Sequence, residues 1–353
     1  MKKTVRLKVD PEAPEIEKVQ VAAKFINRGG LVAFPTETVY GLGADALNAK
    51  AVLSVFRVKK RPLDNPPIVH VCDVDGVFKV AREVSSVAEK LMKVFWPGPL
   101  TLVLKRSSAV PDVAVAGLDT VAVRMPRHKV ALALIDECGC PVSAPSANLA
   151  GKPSPTTARH VLDDLDGRID AVLDAGSTFV GVESTVLDVT VEPAEVLRPG
   201  GTTVEMLKEF LGDVSVNPAV AAEVPVPVGE ARSPGLRHKH YAPDACVVVV
   251  EGELYAVLTR MNRLAAYYST RGSKVGILCS DETLGSCRAH VVKSFGSRRD
   301  LGAVARRLFA CLREFDLEGV DVIVAEGVPL EGLGLAVMNR LRRAAGYKIV
   351  KAS

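Results

Sequence analysis

No apolar run in this 353-residue sequence approaches the roughly 18 residues needed to cross a bilayer; Cys246-Val-Val-Val-Val250 is typical of the longest. Met1-Lys-Lys-Thr leads into alternating charges instead of an apolar signal segment. These absences point away from a membrane span and from secretion, toward the cytoplasm. Net charge is scarce as well: 45 Lys+Arg against 41 Asp+Glu leave +4, too small a surplus to make nucleic acid the main partner. The seven cysteines are odd in number and irregular in spacing, so no disulfide framework is expected. Cys138-Gly-Cys140 is set too close for a zinc knuckle, and no CxxC or HxxxH accompanies it. Reduced thiols packed as small hydrophobes are the expectation. The P-loop, the Gly-x-Ser-x-Gly elbow and the HExxH helix are missing too, which removes the common phosphate, acyl-transfer and zinc signatures.

What is present belongs to a folded, soluble protein. Hydrophobic residues at 48% against 24% charged supply ample surface for a core and exclude disorder of the whole chain. The length is about twice a typical domain of roughly 150 residues, so two domains are expected. Charge is unevenly placed: residues 1–212 hold 26 basic and 26 acidic side chains, 213–243 hold three of each, and 244–353 hold 16 against 12.

Apolar positions Ile16, Val19, Ala22, Ala23 and Ile26 recur at helical spacing, and Arg28-Gly-Gly30 stops that helix before the apolar run Leu31–Phe34. Helices are expected near 49–58, 84–95, 129–138 and 204–211, with strands at 68–72, 100–105, 121–125, 171–173, 186–189 and 195–197. Several of these strands follow one another without room for a crossover helix, so a mixed sheet is expected over 1–212. Residues 213–243 carry Pro218, Pro225, Pro227, Pro234 and Pro243, which oppose a continuous helix or central strand. They read as a linker, with Ser233-Pro-Gly-Leu-Arg-His-Lys-His-Tyr-Ala-Pro243 as a candidate lid. Residues 244–353 alternate strand and helix, which predicts a smaller, Rossmann-like parallel α/β domain. Gly332-Leu-Gly334 does not complete a dinucleotide fingerprint there.

Polar chemistry concentrates between these elements. Pro35-Thr-Glu-Thr-Val-Tyr-Gly-Leu-Gly43 follows a strand and ends in two glycines that let backbone approach a ligand. Lys59-Lys-Arg-Pro-Leu-Asp-Asn-Pro-Pro67 is either a solvated charge run or an oligophosphate loop, with Arg as a fork and Lys as a point charge. Ser143-Ala-Pro-Ser-Ala-Asn148 offers two hydroxyls and an amide, stiffened by Pro145. Gly181-Val-Glu-Ser-Thr185 and Arg198-Pro-Gly-Gly201 each set a polar or cationic residue beside a strand end.

The set PTETVYGLG, KKRPLDNPPIVH, WPGPLT, TVAVRMP, SAPSAN, GVESTV, LRPG and SPGLRHKHYAP, in this order over nearly the whole chain, resembles the YrdC/Sua5 family of threonylcarbamoyl-adenylate synthases. The linker motif and second domain are similar to the two-domain Sua5 type, so a YrdC-like catalytic domain is expected at 1–212 and a Sua5-type C-terminal domain at 244–353. The resemblance implies that L-threonine, bicarbonate and ATP give L-threonylcarbamoyl-AMP and pyrophosphate. The product would pass to a separate transferase that forms t6A at adenosine 37 of tRNAs reading codons that begin with A.

Carried over residue by residue, the resemblance implies phosphate binding and charge stabilisation by Lys59 and Arg61, with Lys60 able to share the work. Asn65 would add a phosphate or metal-directed contact, Arg198 would meet phosphates or AMP, and Tyr241 would cover the nucleotide. Thr120, Ser146, Asn148 and Ser154 would line the nucleotide side. Arg124 would pair with the threonine carboxylate, with Thr38, His70, the Ala144 backbone and Ser184 completing that pocket. Mg2+ is expected with ATP, and no protein side chains are expected to hold a metal. His238 and His240 lack neighbouring ligands for zinc, Trp96 reads as corner packing, and Arg340, Arg342 and Arg343 read as a solvated face with tRNA or a partner protein as the other option. A different class, a double-stranded RNA or tRNA-binding module without ATP chemistry, is opposed by the neutral balance of 1–212.

Overall fold

The computed structural model describes residues 3–224 and 240–353. They form two compact units: the first runs to Asn217 without Gly151–Pro153, and the second takes in Gly151–Pro153, the segment 218–224 and 240–353. Of the candidate lid, residues 233–239 lie outside the described residues.

The first unit begins β1 (Val5–Lys8), α1 (Ile16–Asn27), β2 (Val32–Phe34), β3 (Gly41–Asp45), α2 (Ala49–Lys59) and β4 (Val69–His70). It continues α3 (Asp75–Val80), β5 (Ala81–Glu83), α4 (Ser86–Phe95), β6 (Leu100–Arg106), α5 (Asp112–Val115), β7 (Thr120–Arg124) and α6 (Lys129–Cys138). It ends β8 (Val142–Ser143), α7 (Ala158–Leu165), β9 (Ala171–Asp174), β10 (Thr185–Asp188), β11 (Glu195–Arg198), α8 (Val204–Leu211) and β12 (Ser215–Val216). The strands run in the order β1-β9-β2-β3-β8-β4-β7-β6-β10-β11-β12, with β5 on β6. Parallel pairs such as β4–β7 stand beside antiparallel ones such as β6–β7, so the sheet is mixed. Alternation along β2 feeds two cores. Val32 and Phe34 pack with α1 and α6, while Ala33 packs with α2 and α7, so helices cover both faces.

Side-chain caps set the helix starts. Asn48 accepts from the amides of Lys50 and Ala51, Ser85 from Ala88, and Thr157 from His160. The stretch Pro35–Gly43 is a loop only as far as Tyr40. Gly41–Asp45 is a strand because Gly43 has no side chain: a Cβ there would lie 2.9 Å from both the Phe34 ring and Val142. Helix α7, with charged and polar residues in both turns, also goes beyond the sequence reading. The unit extends past 212 because β12 pairs with β11.

The second unit is β13 (Cys246–Gly252), α9 (Leu254–Ser269), β14 (Val275–Cys279), α10 (Asp281–Leu284), β15 (Val291–Ser294), α11 (Leu301–Leu317), β16 (Val322–Glu326), α12 (Leu333–Ala344) and β17 (Ile349–Ala352). All its pairings are parallel, in the order β15-β14-β16-β13-β17. Helix α9 packs on Val275 and Ile277. Gly276, between them, faces α11, where a Cβ would meet the Phe315 ring at 2.5 Å. Helices thus cover both faces, as the strand-helix alternation predicts.

The expected solvated arginine face on α12 is corrected here: Arg340, Arg342 and Arg343 are all buried. Arg342 forks onto Glu251 (Nε–Oε1 2.7 Å, Nη2–Oε2 2.8 Å) and donates to Ala221 O. The Arg340 guanidinium lies 5.6 Å over the Tyr241 ring. Ion pairing and ring stacking offset the desolvation that spacing alone could not reveal. Trp96 is a corner residue, its indole N–H donating to Leu100 O at 2.7 Å. All seven cysteines are free thiols. Among the described residues no helix is long and apolar enough to cross a membrane.

Candidate active site

Three loops of the first unit are knitted together by backbone hydrogen bonds. Tyr40 N donates to Pro155 O, Leu42 N to Pro145 O at 2.7 Å, and Ala147 N to Tyr40 O at 2.8 Å. From another side Val180 N donates to Glu37 O at 2.8 Å and Gly181 N to Thr38 O at 3.1 Å. Segments 35–43, 143–148 and 180–185 therefore make one surface, and Ala144 N ties it to the strand carrying His70 through Ile68 O.

At its centre Arg124 ends β7 directly beside His70, which ends β4 in parallel register. Arg124 Nη1 donates to Thr38 Oγ1 at 3.0 Å and Nε to Gly98 O at 3.1 Å. Its Nη2 lies 2.6 Å from Glu37 Oε2, an ion pair without hydrogen-bond alignment. Thr36 and Thr38 share a 2.8 Å hydroxyl contact. Burial first, then the charge of Arg124, push His70 down to about 3, so its ring is neutral. Both carboxylate oxygens of Glu37, Arg124 Nη2 and His70 Nδ1 are buried without a hydrogen-bond partner. Buried polar atoms are nearly always partnered, so this unmet hydrogen-bonding capacity makes the cluster a candidate site for a polar ligand.

Around this centre lie two further groups. Ser184 Oγ is 2.7 Å from Thr101 Oγ1, and Arg198 grips Ser184 through Nε and Nη2 to its carbonyl (3.1 and 2.9 Å) and Nη2 to its hydroxyl (3.2 Å). The Arg198-Pro-Gly-Gly201 turn presses onto this stretch because Gly200 has no Cβ; one would fall 2.3 Å from Glu183 O. The buried Lys59 ammonium donates to Ser146 O and to Asn148 O, and Ala150 N returns a bond to Lys59 O. Arg61 folds the basic loop on itself, Nε donating to Asn65 O at 2.7 Å and Nη2 to Pro66 O at 3.2 Å. Lys60 is exposed in the left-handed position that ends α2. Of the open alternatives for this run, Lys59 is not a solvated charge. Ser154 donates its hydroxyl to Glu183 Oε1 at 2.5 Å.

The structure thus brings together Thr38, His70, Arg124 and Ala144, ties Ser184 to Arg198, and ties Lys59 to Ser146 and Asn148. Thr120 starts β7 opposite Lys105, about 13 Å along the strand from Arg124 at ~3.3 Å per residue. Tyr241 belongs to the second unit, stacked on Phe309 at 5.5 Å. Among the described residues no three His, Cys, Asp or Glu side chains converge to hold a metal ion. Sequence reasoning passed over Glu37, Thr101, Gly98 and Glu183. A carboxylate between two threonines at a strand end was the available signal for the first.

A buried arginine among hydroxyls, a carboxylate and a neutral imidazole, on a mixed α/β unit followed by a parallel one, defines a two-unit α/β protein whose first unit concentrates polar groups at its strand ends. The comparisons agree with that class: residues 24–200 match the Sua5/YciO/YrdC family model, described as telomere recombination, and residues 202–346 match the threonylcarbamoyl-AMP synthase C-terminal domain. The chain belongs to the Sua5/YrdC family, in its two-domain Sua5 form. It is 50% identical over 334 residues to the threonylcarbamoyl-AMP synthase of Pyrococcus abyssi, covering 95% of this chain and 96% of that one. It is 45% identical over 335 residues to the Bacillus subtilis threonylcarbamoyl-AMP synthase, covering 95% and 94%. The crystal structure of P. abyssi Sua5 complexed with L-threonine superposes with a TM-score of 0.94 at 48% identity, over 99% of this chain and all of that one.

Proposed function

We propose that this protein is an L-threonylcarbamoyladenylate synthase, converting L-threonine, bicarbonate and ATP to threonylcarbamoyl-AMP and pyrophosphate. The observation that carries this reading is likeness through both units, at 45–50% identity, to synthases of that activity. The pocket chemistry supports it. Arg124, anchored by Thr38 and Gly98, receives the threonine carboxylate, and His70, Ala144 and Ser184 complete the pocket. Lys59 and Arg61 meet the ATP phosphates, Lys59 also setting the loop that carries Ser146 and Asn148. Asn65, Thr120, Ser154 and Arg198 complete the nucleotide contacts of the first unit. ATP enters as its Mg2+ complex, whose cation neutralises the triphosphate.

The reaction needs no protein nucleophile. Threonine's amine attacks carbon dioxide, the carbamate oxygen attacks the α-phosphorus, and pyrophosphate leaves. Catalysis rests on orientation, able to supply roughly 7–11 kcal/mol, and on positive charge at the departing phosphates. The product serves a tRNA threonylcarbamoyl transferase in the cytoplasm, a setting that the seven free thiols suit.

The test is pyrophosphate release with threonine and bicarbonate omitted in turn, with mass spectrometry of the nucleotide product. Release that requires both, with a threonylcarbamoyl adenylate formed, is expected. Folded protein without such release overturns the reading and leaves salt-dependent tRNA or double-stranded RNA binding as the alternative to measure.

A further inference from the structure

Glu37 has no role in the reading above, yet it is the most unusual side chain of the pocket. It is completely buried, its two oxygens accept no hydrogen bond, and among the described residues its ion-pair partner is Arg124 Nη2 at 2.6 Å. An amino acid is a zwitterion, with a carboxylate and an ammonium on the same carbon. A buried guanidinium and a buried carboxylate side by side present the opposite pair of charges at similar spacing.

We propose that Glu37 is a substrate-contacting residue that receives the α-ammonium of threonine while Arg124 takes the carboxylate, and then accepts the proton the nitrogen must lose. The inference rests on the threonine reading above. The substrate carboxylate then shares Arg124 with Glu37, and the Glu37 oxygens, which accept no hydrogen bond, are left to meet the ammonium. The other orphan base, His70, stays neutral with a value near 3 and is a poor acceptor.

In the step, an ammonium N–H bond breaks, its electron pair stays on nitrogen, and an O–H bond forms on Glu37. The nitrogen pair then forms the N–C bond to carbon dioxide while one C=O π pair moves to oxygen. The second proton combines with the hydroxide released when bicarbonate yields carbon dioxide, giving water and a carbamate.

The test uses the full chain and calorimetric titration with L-threonine and with 2,3-dihydroxybutanoate, in which oxygen replaces the ammonium. The wild type is expected to prefer threonine at least 100-fold, and Glu37→Gln to prefer it less than tenfold with synthesis slowed about 100-fold. Thermal melting checks the fold of the variant. Should the Gln variant fail to fold, Glu37→Asp decides: preference retained with turnover at least tenfold lower supports the role, and unchanged turnover overturns it. Equal preference in the wild type and Glu37→Gln overturns the role of Glu37 while the threonine reading stands. A wild type that binds neither compound overturns the threonine reading itself.

Discussion

Glu37 in the first unit and Glu326 in the second are both completely buried, and the two units treat them in opposite ways. Glu326, at the end of β16, accepts from Ser280 N at 3.0 Å, Thr283 Oγ1 at 2.6 Å and Arg298 Nη1 at 2.7 Å. Glu37 accepts nothing and relies on an unaligned ion pair. A carboxylate whose task is to hold a fold is saturated by the fold; one left with unmet hydrogen-bonding capacity awaits something else. The same contrast applies to arginine. The forked Arg342 is held by Glu251 and a backbone carbonyl, whereas Arg124 keeps a buried Nη2 without a hydrogen-bond acceptor. The basic surplus of 244–353 is thus drawn partly into the interior and is no measure of a nucleic-acid surface.

The sharpest break of this contrast would come from Glu326→Ala, which removes the carboxylate acceptor of Arg298, Ser280 N and Thr283 Oγ1 and leaves Arg298 only the Gly327 carbonyl among the described residues. Destabilisation of the second unit by about 3–5 kcal/mol is expected, read by urea unfolding with hydrogen exchange along β13 and β16. An unchanged unfolding profile would show that saturation of Glu326 holds nothing together. In the first unit, Arg124→Lys keeps the charge and loses the fork. The kcat/KM for threonine should fall roughly 10- to 100-fold, equivalent to about 1.5–3 kcal/mol, as measured by pyrophosphate release at varied threonine. A loss confined to stability would place Arg124 with Arg342 as a structural group.

His70 supplies a pH test. Its folded value of about 3 lies below the ordinary 6.5, so between these limits the unfolded chain binds the extra proton. Stability from this group is full above pH 6.5 and is lost as pH falls, by about 1.4 kcal/mol per pH unit and about 2 kcal/mol at pH 5. Denaturant midpoints between pH 7 and pH 5 should show this slope, and His70→Gln should flatten it. The smallest effect is expected at the exposed pair Arg159–Asp163 on α7, one turn apart and 2.7 Å at closest approach. Arg159→Ala should change stability by less than about 0.5 kcal/mol and leave synthesis unaltered. A larger change would mean that surface charge matters in this unit as buried charge does.

Much of the fold was legible because apolar periodicity and glycine stops are local signals. Helices α1, α2, α6 and α8 fall where spacing places them, and so do β13, β14, β15 and β16 of the second unit, whereas the edge strand β17 was not foreseen. Strand β3 was hidden by its two glycines, which packing against Phe34 requires but strand propensity opposes. Helix α7 was hidden by the polar residues that fill its turns. In the site, Arg124 and His70 were visible as motif residues. Their adjacency across β4 and β7 was not, because a register between distant segments leaves no mark on either one alone. Lys59 was visible as a cation, but its bonds to the Ser146 and Asn148 carbonyls depend on a loop nearly ninety residues away.

The sequence by itself determined the class of chain: two α/β parts, reduced thiols, no membrane helix in its pattern, and loops whose residue types suit a carboxylate and phosphates. Those properties are sums over local composition and spacing. Only the tertiary structure decided which charges are satisfied. Whether a buried carboxylate meets three donors or none depends on which distant strands lie beside it, and that separates Glu326 from Glu37.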